Sequence, residues 1–153
     1  FVGSWDGNFY RLDLEDSTEE WRFETDRIIM SNPGIDPDTG IIYVGGDDRQ
    51  VHALDTETGE ELWSEYVGGT VLGSLTVTQE TVLVGSYDTH LYALDKATGE
   101  VRWRVEGVGH VTSAAVPHDG RIFFAERGDI SGYWSDEPFQ LHERGHAYSL
   151  VPA

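Results

Sequence analysis

The chain has 153 residues, and 28 acidic against 10 basic side chains leave a formal charge of −18. With no basic stripe to neutralise phosphates, it is not built to hold nucleic acid, and no apolar run approaches the roughly 20 residues of a membrane span. Cysteine is absent, so disulfide and thiolate chemistry drop out, and the length suffices for one domain with its own core.

Taken in order, Phe1–Phe23 holds short alternating apolar runs separated by the turn signals around Ser4–Gly7 and Asp13–Thr18. Period-two patterning of this kind predicts antiparallel strands. Trp5 falls in the first turn, where it suits packing on the next unit or contact with a ligand. Ile28–Gly40 predicts an inner strand ended by Asn32-Pro33 and by Asp36-Pro37-Asp38-Thr39-Gly40, both strong turn signals. Met30, Ser31 and Asn32 are expected near a central channel, as lining or as ligand contacts. Ile41–Trp63 and Thr81–Trp103 each predict two strands, a tight turn and the start of a third. Gly68–Glu80 and Gly109–Gly120 predict two more inner strands, with small residues at Gly73-Ser74 and Ser113–Ala115 where strands converge on an axis. Arg121–Phe124 begins a fourth unit, whose next strand is Ala147–Leu150. Tyr148 follows Phe124 by 24 residues, whereas Tyr92 follows Val84 by 8. An insert is therefore expected near 128–144. Loops carry function more often than frameworks do, so its Tyr133, Trp134 and Phe139 form a candidate contact loop.

Trp21, Trp63 and Trp103 are spaced by 42 and 40 residues, and Asp13, Asp55 and Asp95 repeat the same intervals. A period near 40 with several short strands per unit predicts an all-β propeller. The expected repeats span about 1–40, 41–80, 81–120 and 121–153, giving four four-stranded antiparallel blades incomplete at both ends. The pattern supplies fourteen strands where four full blades need sixteen. A piece of a larger ring, or two chains completing one, is the expectation. Only Lys96 is a lysine, and the carboxylates are spread along the chain. Self-repulsion at this charge destabilises a compact state in dilute buffer, but in molar salt the Debye length shrinks to about 3 Å. This composition fits an extreme halophile better than an acidic patch for one basic partner.

The segments Ala53-Leu-Asp55-Thr-Glu-Thr58-Gly59-Glu-Glu-Leu-Trp63 and Ala93-Leu-Asp95-Lys-Ala-Thr98-Gly99-Glu-Val-Arg-Trp103 resemble the A-x-D-x-x-T-G-x-x-x-W tryptophan-docking motif. That motif belongs to the pyrroloquinoline-quinone (PQQ)-like β-propeller repeats of quinoprotein dehydrogenases and their non-enzymatic relatives. The first copy keeps Asp13 and Trp21 but carries Arg11, Asp16 and Ser17 where Ala, Thr and Gly stand in the motif. The resemblance implies that each tryptophan docks between neighbouring blades, that the complete ring has seven or eight blades, and that the protein works outside the cell or at its surface. It also implies a non-catalytic scaffold or binding module for a protein partner or small ligand; the alternative is a fragment of a PQQ-dependent dehydrogenase. In such enzymes PQQ lies over the ring axis with calcium, a catalytic aspartate and often a disulfide of adjacent cysteines. The motif marks the scaffold and not those sites, so no catalytic residue is assigned; the scaffold reading expects no cofactor, and the dehydrogenase alternative leaves PQQ and calcium open.

His142-Glu143-Arg144-Gly145-His146 matches H-E-x-x-H, a zinc signature only where a helix sets both histidines on one face. Gly145 weakens a helix by about 1 kcal/mol, and a predicted strand follows at once. No metal site is expected there.

Overall fold

The fold begins from two near-identical strand pairs. Ile41–Gly45 and Thr81–Gly85 are apolar strands ending in glycine, and Gln50–Asp55 and His90–Asp95 follow them after a turn. Each pair is joined to a third strand in which only every other residue is sheltered, as befits the outer edge of a sheet. The computed structural model describes residues 1–127 and 147–150. Within them the chain forms four antiparallel sheets in succession and no helix. The first contains β1 (Val2–Gly3), β2 (Asn8–Leu12) and β3 (Glu19–Glu24). The second contains β4 (Gly34–Asp36), β5 (Ile41–Gly45), β6 (Gln50–Asp55) and β7 (Glu61–Tyr66). The third contains β8 (Thr76–Val77), β9 (Thr81–Gly85), β10 (His90–Asp95) and β11 (Val101–Glu106). The fourth contains β12 (His110–Val111), β13 (Val116–His118), β14 (Arg121–Arg127) and β15 (Ala147–Leu150). Each complete sheet takes its inner strand from the tail of the preceding sequence repeat, so sheet and repeat are out of phase by one strand.

Among the described residues fifteen strands stand where fourteen were expected, because the inner strand of the fourth sheet is split. β12 and β13 pair with different parts of β14. Between them the Ser113 hydroxyl accepts the Ala125 N–H at 2.8 Å and donates to the Ala125 carbonyl at 3.0 Å. A side chain thus occupies the ladder position that backbone groups fill elsewhere. β15 pairs with β14 so that Tyr148 lies opposite Phe124, the register in which Tyr92 lies opposite Val84.

Neighbouring sheets are fastened by a contact that repeats with the sequence. As the chain leaves one sheet for the next, Ile29, Val71 and Val111 donate backbone N–H bonds to the carbonyls of Ser4, Gly46 and Ser86 at 3.0–3.1 Å. The side chains of these three residues fill the space beside Gly3, Gly45 and Gly85. A Cβ on Gly45 would lie 2.5 Å from Val71, and one on Gly85 2.6 Å from the Val111 carbonyl. Glycine is required here by close approach rather than by backbone conformation. Around these points lie three apolar clusters, each shared between two consecutive sheets. Replacing Gly45 by alanine is expected to lower stability by about 1–3 kcal/mol, the usual cost of overpacking, as read from the urea midpoint in molar salt.

Candidate functional site

The repeated turn between the third and fourth strands of a blade is assembled by one aspartate. Asp55 Oδ1 accepts the N–H groups of Glu57 at 2.9 Å and Thr58 at 2.8 Å, and the Thr58 hydroxyl at 3.1 Å. Asp95 Oδ1 accepts from Ala97 at 2.9 Å and Thr98 at 3.0 Å. These amides, donated by Thr58 and then Glu57, hold the Asp55 carboxyl below the usual carboxylate range. For Asp95 the larger cause is the Arg102 guanidinium, followed by the turn amides. Gly59 and Gly99 close the turns at φ of 75° and 81°, in the left-handed region where glycine avoids the Cβ penalty. In the first sheet Asp13 Oδ1 takes the Glu15 and Asp16 amides at 2.7 and 3.2 Å, and Ser17 adopts φ of 61° with a Cβ present.

The Asp55 and Asp95 turns each receive an indole from the preceding sheet. Trp21 Nε1 donates to the Thr56 carbonyl at 3.1 Å, and Trp63 Nε1 to the Lys96 carbonyl at 3.2 Å. The rings lie so flat that a Cβ on Gly59 would come within 2.7 Å of Trp21, and one on Gly99 within 2.6 Å of Trp63. The same glycine therefore answers two demands, a positive φ and an aromatic plate against its Cα. Buried Ala53 and Ala93 sit directly across the ladder from Trp63 and Trp103, leaving room for the indole. Arg11 holds that position opposite Trp21 and donates to the Thr56 carbonyl at 2.6 Å, beside the indole. Trp103 packs with the apolar cluster between the third and fourth sheets and lines a groove of about 600 Å³ with Arg102, Pro117, His118, Arg121 and Ile122.

A second repeated pair joins Asp6, Asp48 and Asp88 to the residues four positions on. Tyr10 donates its hydroxyl to Asp6 at 2.7 Å, and Tyr92 donates to Asp88. The Tyr10 bond brings the Asp6 pKa to about 2, while burial and then Asp88 push the Tyr92 phenol up to about 12. In the middle copy the tyrosine is His52. Its Nε2 meets Asp48 at 2.7 Å and its Nδ1 meets Glu61 at 2.6 Å, while Phe23 of the first sheet packs on the ring at 5.1 Å. Burial opposes protonation of this buried imidazole, but the two carboxylates outweigh it and the pKa is raised.

The structure places Trp5 on the surface, 78% exposed. It places Ser31 in the interior, where its hydroxyl accepts the Gly45 N–H at 2.8 Å, and Asn32 donates to the Ser74 hydroxyl at 3.1 Å. Ser31 is thus engaged in the strand ladder rather than solvated. Tyr133, Trp134, Phe139 and the His142–His146 segment lie outside the described residues. Among the described residues no three His, Cys, Asp or Glu side chains gather to hold a metal ion, and no helix is long and apolar enough to cross a membrane. Two contacts escaped the sequence reading. One is the His52 triad, whose signal was the recurrence of Tyr10, His52 and Tyr92 at one repeat position. The other is the ion pair of Lys96 Nζ with Asp36 at 2.7 Å, which joins the second and third sheets. Lys96 holds the buried Asp36 carboxyl below its ordinary range.

This geometry, with four-stranded sheets in series fastened by indole plates on aspartate-built turns, defines a PQQ-repeat β-propeller. The family model described as outer membrane protein assembly factor BamB matches residues 5–136, and the chain belongs to that family. Among solved structures it is similar to BamB from Moraxella catarrhalis, with a TM-score of 0.69 and 17% identity over 80% of this chain. The match spans 38% of that chain's length. It is also similar to the computationally designed Ika4 protein, with a TM-score of 0.77 and 17% identity over 99% of this chain and 83% of that one. A comparison with curated protein sequences finds no match.

Two outcomes follow from these contacts. Trp63→Ala is expected to cost about 3 kcal/mol, in line with removal of a large packed indole, measured by denaturant unfolding. Because the folded-state pKa of His52 is raised, its stabilising contribution is complete below the unfolded value of about 6.5. It is lost as the pH rises through the folded value. His52→Tyr is expected to remove this alkaline loss, as seen in melting temperature against pH.

Proposed function

We propose that this chain is a non-catalytic scaffold or binding module, exported to the cell surface and adapted to high salt. The observation that carries this reading is the engagement of four acidic groups, three of them at repeated positions, within the framework. Asp55 and Asp95 hold turn amides, Asp36 holds Lys96, and Asp48 holds His52. These groups build blades and junctions, and the turn amides and cations that hold Asp55, Asp95 and Asp36 keep their carboxyls below the ordinary range, which makes them weak bases. The name of the matching family, an outer membrane protein assembly factor, supports a role in which the propeller holds another protein. On this reading the surface turns contact a protein partner, and PQQ and calcium are not resident cofactors.

Gel filtration after incubation with PQQ and calcium tests the reading. The expected outcome is no quinone absorbance in the protein peak. Stoichiometric quinone would instead favour part of a PQQ-dependent dehydrogenase. The salt adaptation has its own measurement. With a charge of −18, raising salt from 0.1 M to several molar is expected to raise the melting temperature steadily, through screening of self-repulsion.

A further inference from the structure

The outer strands β3, β7 and β11 are repeats of one another, and their exposed side chains fall at the same places. Each ends the order of its sheet, so among the described residues one backbone edge of each faces outward. Val67 donates its N–H to the Arg49 carbonyl. Alternation along an antiparallel pair then turns the N–H and C=O of Ser64 and Tyr66 away from β6. The bonds from Thr25 N–H to the Gly7 carbonyl and from Gly107 N–H to the Thr89 carbonyl do the same for Arg22 with Glu24 and for Arg104 with Glu106.

An open edge is a template for strand addition, and charged side chains beside it are the usual guard. β3 is guarded by Glu20, Arg22 and Glu24, and β11 by Arg102, Arg104 and Glu106. At the same three positions β7 carries Leu62, Ser64 and Tyr66. Leu62 is 51% and Tyr66 58% exposed. The guard is thus missing from one outer strand of three, and that strand belongs to the second sheet, which has a neighbour packed on either side. The charges that β7 keeps are Glu61, bonded to His52 Nδ1 at 2.6 Å, and Glu65. It has no basic residue.

We propose that the open edge of β7 takes up an extended segment of a protein partner as a fifth strand of the second sheet. The segment carries apolar side chains on the face of Ser64 and Tyr66, and lysine or arginine on the face of Glu65. Main-chain bonds to Ser64 and Tyr66 supply the affinity of such a contact, and alternate side chains its selectivity. A helix bonds its own backbone groups and cannot match that row. A second copy of this chain is the poorer occupant, because it brings the Glu61 and Glu65 of both β7 strands onto one ladder with no cation between them. The proposal rests on the scaffold reading, and adds a strand edge to the turns as a place of contact.

Amide exchange of the 153-residue chain in molar salt tests the proposal, without and with a synthetic acetylated peptide of about ten residues that alternates valine and lysine. The peptide is expected to slow exchange at Ser64 and Tyr66 by about ten-fold or more, and to leave Arg22, Glu24, Arg104 and Glu106 unchanged. The same peptide with every backbone nitrogen methylated keeps its charge and is expected to protect nothing. Ser64→Pro removes only an outward N–H, which an edge strand tolerates. Ser64→Arg with Tyr66→Glu restores the charges that β3 has at these positions. Each variant, folded by circular dichroism, is expected to lose the protection at its remaining β7 amides, and if the proline variant does not fold, the charge variant carries the test. Protection that persists in a folded variant or with the methylated peptide, protection spread evenly over β3, β7 and β11, or none at all would overturn the proposal. So would slow exchange at Ser64 and Tyr66 in the free chain, where a second copy or another part of the polypeptide already covers the edge. Quinone in the protein peak of the gel filtration overturns the scaffold reading whatever the peptide does, so the two readings fail separately.

Discussion

The structure depends on an indole lying flat against a glycine of the next sheet. A single four-stranded sheet of this size has two faces to cover and cannot bury either by itself. The indole supplies a large apolar plate, and its N–H finds the carbonyl of a turn residue at 3.1 or 3.2 Å. That bond fixes where the plate lands. The turn must in turn be rigid, and Asp55 and Asp95 make it so by gathering two amides each. Apolar burial supplies most of the stabilisation, and the polar contacts set the register in which it occurs.

Much of the architecture was legible because it is periodic. The 42- and 40-residue intervals between tryptophans located the junctions. The alternation in Thr81–Gly85 and Val101–Glu106 located strands that pair as their pattern requires. What escaped notice was long-range or non-periodic. The Asp36–Lys96 pair links residues 60 apart in sequence, and neither belongs to a repeated ion pair. The splitting of the inner strand at Ser113 depends on one hydroxyl reaching Ala125, which no strand pattern encodes. His52 was hidden because its repeat equivalents are tyrosines, and no spacing marks the two carboxylates that meet its ring nitrogens.

The variation among copies is as informative as their sameness. Tyr10, His52 and Tyr92 show one geometric role, a ring bonded to an aspartate four residues back, filled by two chemistries. Only the imidazole can add a second carboxylate, Glu61, because it has a polar atom on each side. Arg11 makes a comparable exchange. Where alanine leaves space under the other indoles, the guanidinium fills it and shares the Thr56 carbonyl with Trp21. Its charge is met by Glu20 and Glu57.

The backbone bonds from Ile29, Val71 and Val111 to the preceding sheets give the array a modular grammar. Each blade is tied to its immediate neighbours, so stability accumulates link by link along the chain. A gene encoding such a chain can gain or lose a whole unit by duplication or deletion and still specify sound joints on either side. The number of blades in series is thus free to drift while the joint itself stays fixed.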